Sequence, residues 1–138
     1  MPIRLERRYR FSASHLYRRS EWTEEENRRR FGKCANLPGH GHNYRLFVSV
    51  TGEIDPATGF VVDLGALDRI VASRVVDVLD HQHLNAALPN FADGGEIPSS
   101  ECLLRWIVGR LSEELPTGVM LAKLRLEEDE DLAAEWAP

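Results

Sequence analysis

The stretch that sets the architecture reads Gly39-His40-Gly41-His42-Asn43-Tyr44-Arg45-Leu46-Phe47-Val48-Ser49-Val50-Thr51. Its apolar side chains recur at every second position from Tyr44, which predicts a strand from Asn43 to Thr51. His40 and His42 lie two residues apart where this strand starts, so both imidazoles project from one face of the sheet. A metal ion requires that arrangement, although two surface histidines can share this spacing by chance. The glycines beside them leave room for a ligand to approach.

A second strand is predicted before this one, from Ile3 to Ser14, and it ends at His15. If the two strands are neighbours, His15 supplies a third imidazole to the pair at 40 and 42. Three neutral imidazoles with an open fourth position are typical of a catalytic zinc site rather than a structural one. The sequence therefore predicts a metal centre on His15, His40 and His42.

The remaining elements follow from hydrophobic periodicity and capping residues. Thr23 and Glu26 form a capping-box pattern at the start of a short helix. A longer helix is predicted from Asp63 to about residue 79, and another from Ser99 or Ser100 to about residue 115. Extended runs are predicted at 60–62 and 119–126, and the segment 80–99 is irregular. This order predicts an α+β class with a mostly antiparallel sheet.

Length, charge and cysteine content limit the class of protein. With 138 residues the chain is expected to form a single domain, 1–138. A net charge of −5 argues against a nucleic-acid partner. The N terminus has no apolar segment of a secretory leader, and no stretch approaches the ~20 apolar residues of a membrane span. We therefore expect a cytoplasmic protein with Cys34 and Cys102 as free thiols, a lone disulfide being the alternative.

Cys34 lies six residues before His40, close enough to take part in the chemistry of the site. A thiolate near a metal cation has a depressed pKa and can act as a base or nucleophile. The same sulfur can instead be a fourth ligand that closes the site. Cys102, beside Leu103 on the second long helix, is interpreted as a small core residue.

Three further positions carry polar groups that can serve a ligand. Asp80 and His81 are adjacent after the first long helix, and a carboxylate with an imidazole can form a proton relay, although neighbours in sequence seldom bond each other well. Glu101 follows Ser100 at a helix start, where an N-terminal acid also has a purely structural explanation. Glu128 shares strand parity with Leu124 and Leu126, so it is predicted to point inward and to need a donor.

These motifs together resemble the 6-pyruvoyl-tetrahydropterin synthase family, from Phe11 to about Glu128. The matching segments are Phe11-Ser-Ala-Ser-His15, Phe31-Gly-Lys-Cys34, Gly39-His-Gly-His-Asn-Tyr44, Gly52-Glu-Ile-Asp-Pro-Ala-Thr-Gly59, Leu79-Asp-His81 and Ser99-Ser-Glu101. The resemblance implies the tunnelling fold, in which a four-stranded antiparallel sheet with two helices on one face joins others into a barrel. It also implies a homohexamer, a dimer of trimers, with active sites between subunits.

The resemblance further implies a function and a role for each residue. The substrate is 7,8-dihydroneopterin triphosphate, a small molecule, and the product is 6-pyruvoyl-tetrahydropterin with release of triphosphate. One zinc per subunit is held by His15, His40 and His42, with Mg²⁺ accompanying the triphosphate. Cys34 matches the proton-abstracting thiol, and Asp80 and His81 match a relay contributed across a subunit boundary. Glu128 matches the carboxylate that anchors the pterin, and Ser100 and Glu101 match a second substrate-binding motif.

Several departures and alternatives stay open at this point. Leu16 follows His15 where the family often has Arg, and Asp129 replaces a Thr after the anchoring Glu. A register slip of one residue would make Glu127 the anchor. The triphosphate has six candidate arginines: Arg7, Arg8, Arg10, Arg28, Arg29 and Arg30.

The main alternative activity is that of 6-carboxy-tetrahydropterin synthases, which act on the same substrate on the deazapurine route. Those sequences tend to read C-x3-H-G-H, whereas this chain has C-x5-H-G-H, which favours the pyruvoyl-forming activity. A non-catalytic zinc-binding subunit, with Cys34 as a fourth ligand, is a more distant alternative. A zinc hydrolase is disfavoured because the chain lacks a metal-binding helix of the H-E-x-x-H type.

Overall fold

The computed structural model describes residues 3–138. Met1 and Pro2 lie outside the described residues, although the predicted domain and the N terminus predicted to lack a leader both include them. The strands are β1 Arg4–His15, β2 His40–Thr51, β3 Gln82–His83, β4 Met120–Glu127 and β5 Ala133–Trp136. The α-helices are α1 Glu24–Phe31, α2 Leu64–Val71, α3 Asp77–Leu79, α4 Leu84–Ala87 and α5 Ser100–Leu111. The α+β class is therefore as predicted.

The sheet has five strands in the order β3-β1-β2-β4-β5, where four were predicted. β1 and β2 pair antiparallel along their whole lengths, from Arg4 opposite Thr51 to His15 opposite His40. β3 adds a short parallel pairing to the end of β1, and β5 folds back on β4. β5 was missed because its residues lack alternation and follow an acidic run that reads as a solvated tail.

The predicted extended run at 60–62 is wrong as a strand. Asp55 accepts a hydrogen bond from the Gly59 amide at 2.7 Å, and its own amide donates to the Phe60 carbonyl at 2.9 Å. Gly59 has a φ of 78°, which closes this turn, so the chain reverses before Phe60 and pairs with no strand. Phe60 is left largely exposed, while Val62 alone turns into the core.

The core lies between one face of the sheet and the helices. Side chains at alternate positions of β2 and β4 are fully buried, and they meet the apolar stripes of α2 and α5. These residues are Leu46, Val48, Val50, Leu124 and Leu126 from the sheet, and Leu67, Val71, Leu103, Ile107 and Leu111 from the helices. The opposite face of the sheet carries mostly charged and polar residues.

The first long helix is continuous to residue 79, but it contains one wider turn. Asp63 caps it by accepting from the Gly65 amide, as predicted for its start. Residues Ala72–Val76 form a π-helical segment between α2 and α3, and the chain then leaves the helix at Asp80. The His81 amide donates to the Ser12 carbonyl at 2.6 Å, which fixes this exit against β1.

Across residues 3–138, no helix combines the length and hydrophobicity that a membrane crossing requires. Cys34 and Cys102 are both free thiols, as predicted. Cys102 is partly buried and packs against the core, which agrees with its predicted role.

Candidate active site

The three histidines predicted as metal ligands meet at one end of the sheet. In the β1–β2 pairing His15 lies opposite His40, and Ala13 lies opposite His42, so all three imidazoles point to the core side. Their ring centroids are 4.8–4.9 Å apart in every pair, and the Nε2 atoms of His15 and His40 are separated by 3.2 Å. The strand register therefore brings together nitrogens that are far apart in sequence.

His15 is completely buried and is held as a neutral imidazole. Burial first, and then the neighbouring histidines, lower its pKa to about 3. The hydroxyl of Tyr44 lies 3.1 Å from His15 Nδ1. A proton on Nδ1 would be donated to this oxygen, which leaves the Nε2 lone pair directed at the other imidazoles. An outer hydrogen bond of this kind fixes the orientation of a metal-binding histidine.

His42 provides an independent sign that the cluster is suited to a cation. Its Nε2 is buried and has no hydrogen-bond partner among the described residues, which is costly for a polar atom. Among residues 3–138, two sets of donor atoms lie within 4.8 Å of one another: His15, Cys34 and His40, and His15, His42 and Glu128. The predicted set differs from both, since His40 and His42 belong to different sets that share His15. Imidazole, thiolate and carboxylate groups suit a late divalent cation. The residues present therefore fit the metal that the sequence predicts.

Glu128, the residue that follows β4, lies beside the histidine cluster. It lies just beyond Glu127 on the parity of Leu124 and Leu126, and it is only 7% exposed, as its predicted inward orientation requires. Its Oε1 atom is 3.9 Å from Nε2 of His15 and 3.9 Å from Nε2 of His42. Glu127 instead faces the other side, near Arg45 and Arg125. The structure thus favours Glu128 over Glu127 as the inward carboxylate.

Two hydroxyls approach the same oxygen of Glu128. Ser100 Oγ lies at 3.4 Å and Tyr17 Oη at 3.5 Å. Ser100 is buried, so the start of α5 reaches the site through this side chain. Glu101, the adjacent predicted residue, is exposed, and it makes no side-chain hydrogen bond or ion pair within residues 3–138. The pKa of Tyr17 is raised, first by burial and then by the charge of Glu128. Its hydroxyl therefore stays protonated and can donate a hydrogen bond to the carboxylate.

Cys34 lies beside the histidines in the short 3₁₀ turn Gly32–Ala35. Its sulfur is 4.0 Å from Nε2 of His40, and the side chain is partly exposed. Burial, followed by the charge of Glu128, raises the pKa of this thiol in the protein alone. A bound cation would act in the opposite direction. The position is compatible with either predicted role, a base beside the metal or a fourth ligand.

Asp80 and His81 lie apart from the histidine cluster, beside the polar face of the sheet. Asp80 accepts a hydrogen bond from the Ser12 amide at 2.9 Å, and its second oxygen is 3.0 Å from Nδ1 of His81. The expectation that these neighbours would not bond each other well is therefore wrong. A φ of 60° at His81 turns its ring back onto the carboxylate. His81 is 81% exposed, so the pair is available to another molecule.

An open pocket of about 500 Å³ has Ser12, Ser14, His42, His81 and His83 on its wall, so it reaches from His81 to the histidine cluster. His83, for which the sequence offered no context, has its Nδ1 2.8 Å from the Ser14 hydroxyl.

Tyr44 and Tyr17 are site residues that the sequence analysis did not single out. Tyr44 continues the alternation of His40 and His42, so its position facing His15 was readable from parity. Tyr17 follows β1 after the strand has ended at His15, and parity has no meaning there. Its contact with Glu128 depends on how the following loop folds back.

Comparison with known proteins identifies the family of this chain. Residues 4–138 match the family model described as 6-pyruvoyl tetrahydropterin synthase. A 6-pyruvoyl tetrahydrobiopterin synthase of Pongo abelii is 42% identical over 125 residues, covering 91% of this chain and 84% of that protein. The structure of the Caenorhabditis elegans 6-pyruvoyl tetrahydropterin synthase superposes with a TM-score of 0.89 at 31% identity, covering 100% of this chain and 96% of that one.

A relative named for a different activity is also similar over nearly the full length. The dihydroneopterin monophosphate aldolase of Pyrococcus furiosus is 33% identical over 135 residues, covering 98% of this chain and 97% of that protein.

Proposed function

This chain belongs to the 6-pyruvoyl tetrahydropterin synthase family, and we propose that it converts 7,8-dihydroneopterin triphosphate to 6-pyruvoyl-tetrahydropterin and inorganic triphosphate. The reaction is redox-neutral: two side-chain carbinols become ketones, one of the two electron pairs released reduces the ring, and the other converts the terminal carbon to a methyl group as its bond to the triphosphate breaks. No external redox cofactor is therefore needed. The observation that carries the proposal is the convergence of three imidazoles with a buried carboxylate and a thiol. The imidazoles and the thiol suit proton movement on a pterin side chain, and the carboxylate suits the N–H groups of the pterin ring.

We assign the metal to His15, His40 and His42, and we propose zinc as its identity. Zinc bound there would acidify the side-chain hydroxyls of the substrate, so that protons leave at neutral pH. Support comes from the unpartnered Nε2 of His42 and from the neutral state of His15. Mg²⁺ is assigned only to the triphosphate of the bound substrate.

Cys34 is proposed as the general base. Its sulfur lies beside His40, at the edge of the histidine cluster. From there it can reach a side-chain carbon of a substrate whose hydroxyl groups lie against the proposed metal site. Asp80 and His81 are proposed as a relay that serves the Cys34 of a neighbouring subunit. Their exposure and their position on the polar side of the sheet support a role across a subunit boundary.

Glu128 is proposed as the anchor of the pterin ring, through the adjacent N–H groups of its amino-pyrimidine. A buried carboxylate requires donors, and two parallel N–H groups provide a charge-assisted pair. Ser100 is proposed as part of the same subsite because its hydroxyl touches Glu128. Glu101 stays assigned to substrate binding on the family motif alone.

Ion pairing separates the six arginines proposed for the triphosphate. Four of them are already bound to carboxylates: Arg7 to Asp68, Arg28 to Glu24, and Arg29 and Arg30 to Glu26. Arg8 lies over the Phe47 ring. Arg10 pairs in register with Arg45 and lines a depression of about 350 Å³ with Ser12 and Asn43. We therefore favour Arg10 as the phosphate ligand.

The homohexamer and the cytoplasmic location are retained as parts of the proposal. A relay that works across subunits requires an assembly, and β1 pairs with β3 only at Ala13 and Ser14, which leaves backbone groups along its outer edge for another chain. Two free thiols fit a reducing compartment.

The test is a product assay on protein of measured metal content. Incubation with 7,8-dihydroneopterin triphosphate and Mg²⁺, followed by mass spectrometry, should yield 6-pyruvoyl-tetrahydropterin and triphosphate. Formation of 6-carboxy-tetrahydropterin with acetaldehyde would contradict the proposal and show that the chain has the alternative 6-carboxy-tetrahydropterin synthase activity. A parallel reaction with dihydroneopterin monophosphate tests for the aldolase activity after which the Pyrococcus furiosus relative is named. Turnover of that substrate alone would contradict the proposal.

A further inference from the structure

Tyr17 contacts a proposed metal-binding histidine, the turn that carries Cys34 and the buried carboxylate of Glu128. Its ring lies 4.6 Å from the His15 ring, its hydroxyl 3.5 Å from Glu128 Oε1, and its amide donates to the Cys34 carbonyl at 2.9 Å. We propose that Tyr17 is a positioning residue for the reaction, which orients Glu128 toward the pterin and fixes His15 relative to Cys34. The inference rests on the proposed function.

The hydroxyl contact explains how Glu128 is oriented. The contacts found for this carboxylate, from Tyr17, Ser100, His15 and His42, all involve Oε1. Two hydroxyl donors on one oxygen restrict rotation of the carboxylate and leave Oε2 free for a ligand. A buried acceptor in that state is preorganised for N–H donors, because little ordering remains when the ligand arrives.

The ring contact explains how the His15 imidazole is packed at the end of β1. Tyr17 tilts at 48° against the imidazole, and Phe31 packs edge-on against Tyr17 at 5.9 Å. Phe31 in turn stacks on Trp22 at 5.6 Å. This row of aromatic rings connects α1 to His15, so packing of the helix supports the ring that contacts the proposed metal ligand.

The main-chain contact ties the same residue to Cys34. The hydrogen bond from the Tyr17 amide holds the turn Gly32–Ala35 against the end of β1. The distance between sulfur and histidines is thereby set by the segment that carries Tyr17. Side-chain substitutions leave this amide in place, which allows the ring and hydroxyl contributions to be separated from it.

The experiment compares Tyr17→Phe with Tyr17→Leu in the metal-loaded protein. Tyr17→Phe removes only the hydroxyl, so neopterin should bind about 10-fold more weakly in a fluorescence titration, the loss expected for a hydrogen bond to a charged group. With substrate, KM should rise by a similar factor while kcat stays nearly constant. The visible spectrum of the cobalt-substituted enzyme should not change. Tyr17→Leu should add a change in that spectrum, because His15 loses its ring contact.

Tyr9→Phe is the matched control, because Tyr9 also donates its hydroxyl to a carboxylate, that of Asp68 at 2.7 Å, away from the site. It should leave neopterin binding and the cobalt spectrum unchanged. Unchanged neopterin affinity in Tyr17→Phe would overturn the orienting role, and an unchanged cobalt spectrum in Tyr17→Leu would overturn the ring contact. If the wild type binds neopterin but does not turn over the substrate, the proposed reaction is contradicted, whereas the role of Tyr17 in orienting Glu128 for pterin binding still stands. Absence of neopterin binding would overturn both the pterin site and the orienting role.

Discussion

The two ends of the β1–β2 ladder follow the same alternation and serve opposite purposes. At one end the inward positions of β2 are Leu46, Val48 and Val50, which are fully buried against the helices. At the other end the same positions are His40, opposite a buried His15, and His42, whose Nε2 has no hydrogen-bond partner within residues 3–138. Burial of the apolar end stabilises the fold, whereas the imidazole end carries a polar cost that a ligand can relieve.

The site therefore continues the alternation of inward-facing residues that forms the core, with imidazole side chains in place of apolar ones. The strands supply one rigid register for both ends, so the imidazoles are positioned as firmly as the leucines. Substitutions at the two ends should therefore separate activity from stability.

Cys34→Ala should have the largest effect, confined to activity. Loss of a general base is expected to reduce kcat about 100- to 10,000-fold, while the melting temperature and metal content stay unchanged. Cys102→Ala is the matched control, because that thiol packs on the core away from the site. Stoichiometric loss of metal from Cys34→Ala would show that the sulfur is a ligand and would contradict its role as base.

Leu46→Ala should have the opposite profile. Leu46 is fully buried, and truncation of such a residue lowers the free energy of unfolding by about 2–5 kcal/mol. Chemical denaturation measures this loss, and the folded fraction should still bind one metal per chain. If the folded variant binds no metal, the two ends are coupled more tightly than the shared ladder implies.

Removal of the metal should destabilise the imidazole end by a smaller amount. At a free zinc concentration 100-fold above its dissociation constant, binding adds about 3 kcal/mol to stability. Thermal melts with and without a chelator test this expectation. His42→Ala should abolish the difference between the two melts, since it removes one ligand. A metal-dependent shift that survives in His42→Ala would contradict the assignment.

Tyr44→Phe should weaken metal binding without removing a ligand. The hydroxyl of Tyr44 is 3.1 Å from His15 Nδ1, and loss of such an outer contact reduces metal affinity roughly 10- to 100-fold. Competition with a chromogenic chelator measures the affinity. The far-UV circular dichroism spectrum should match that of the wild type, and equal affinity in both proteins would show that Tyr44 does not orient His15.

Acid should destabilise the metal-free protein through His15. Burial lowers the pKa of His15 from 6.5 to about 3, so the unfolded chain binds a proton in this interval that the folded chain does not. Stability therefore falls as the pH drops through 6.5, above the range in which carboxylates titrate. Urea denaturation at pH 7 and pH 5.5 should show this fall. His15→Gln should reduce it, and substitution of the exposed His81 by Gln should not.

Much of the site was predictable from local patterns. The spacing of His40 and His42 identified one face of a strand, and the parity of Glu128 with Leu126 identified its inward orientation. The failures have physical causes as well. The run at 60–62 has strand-forming residues, but the turn closed by Gly59 leaves it without a neighbour. β5 pairs through its backbone with β4, a contact that no side-chain pattern reveals.

Local composition and periodicity thus determined the class of fold and predicted the ligand types and the strand that carries two of them, because alternation along a strand is a property of neighbouring residues. The strand register, which sets His15 against His40, and the loop path that brings Tyr17 to Glu128 belong to the folded molecule. Both depend on contacts between segments separated by 25 and 111 residues, and only packing of the whole chain selects among the pairings available to them.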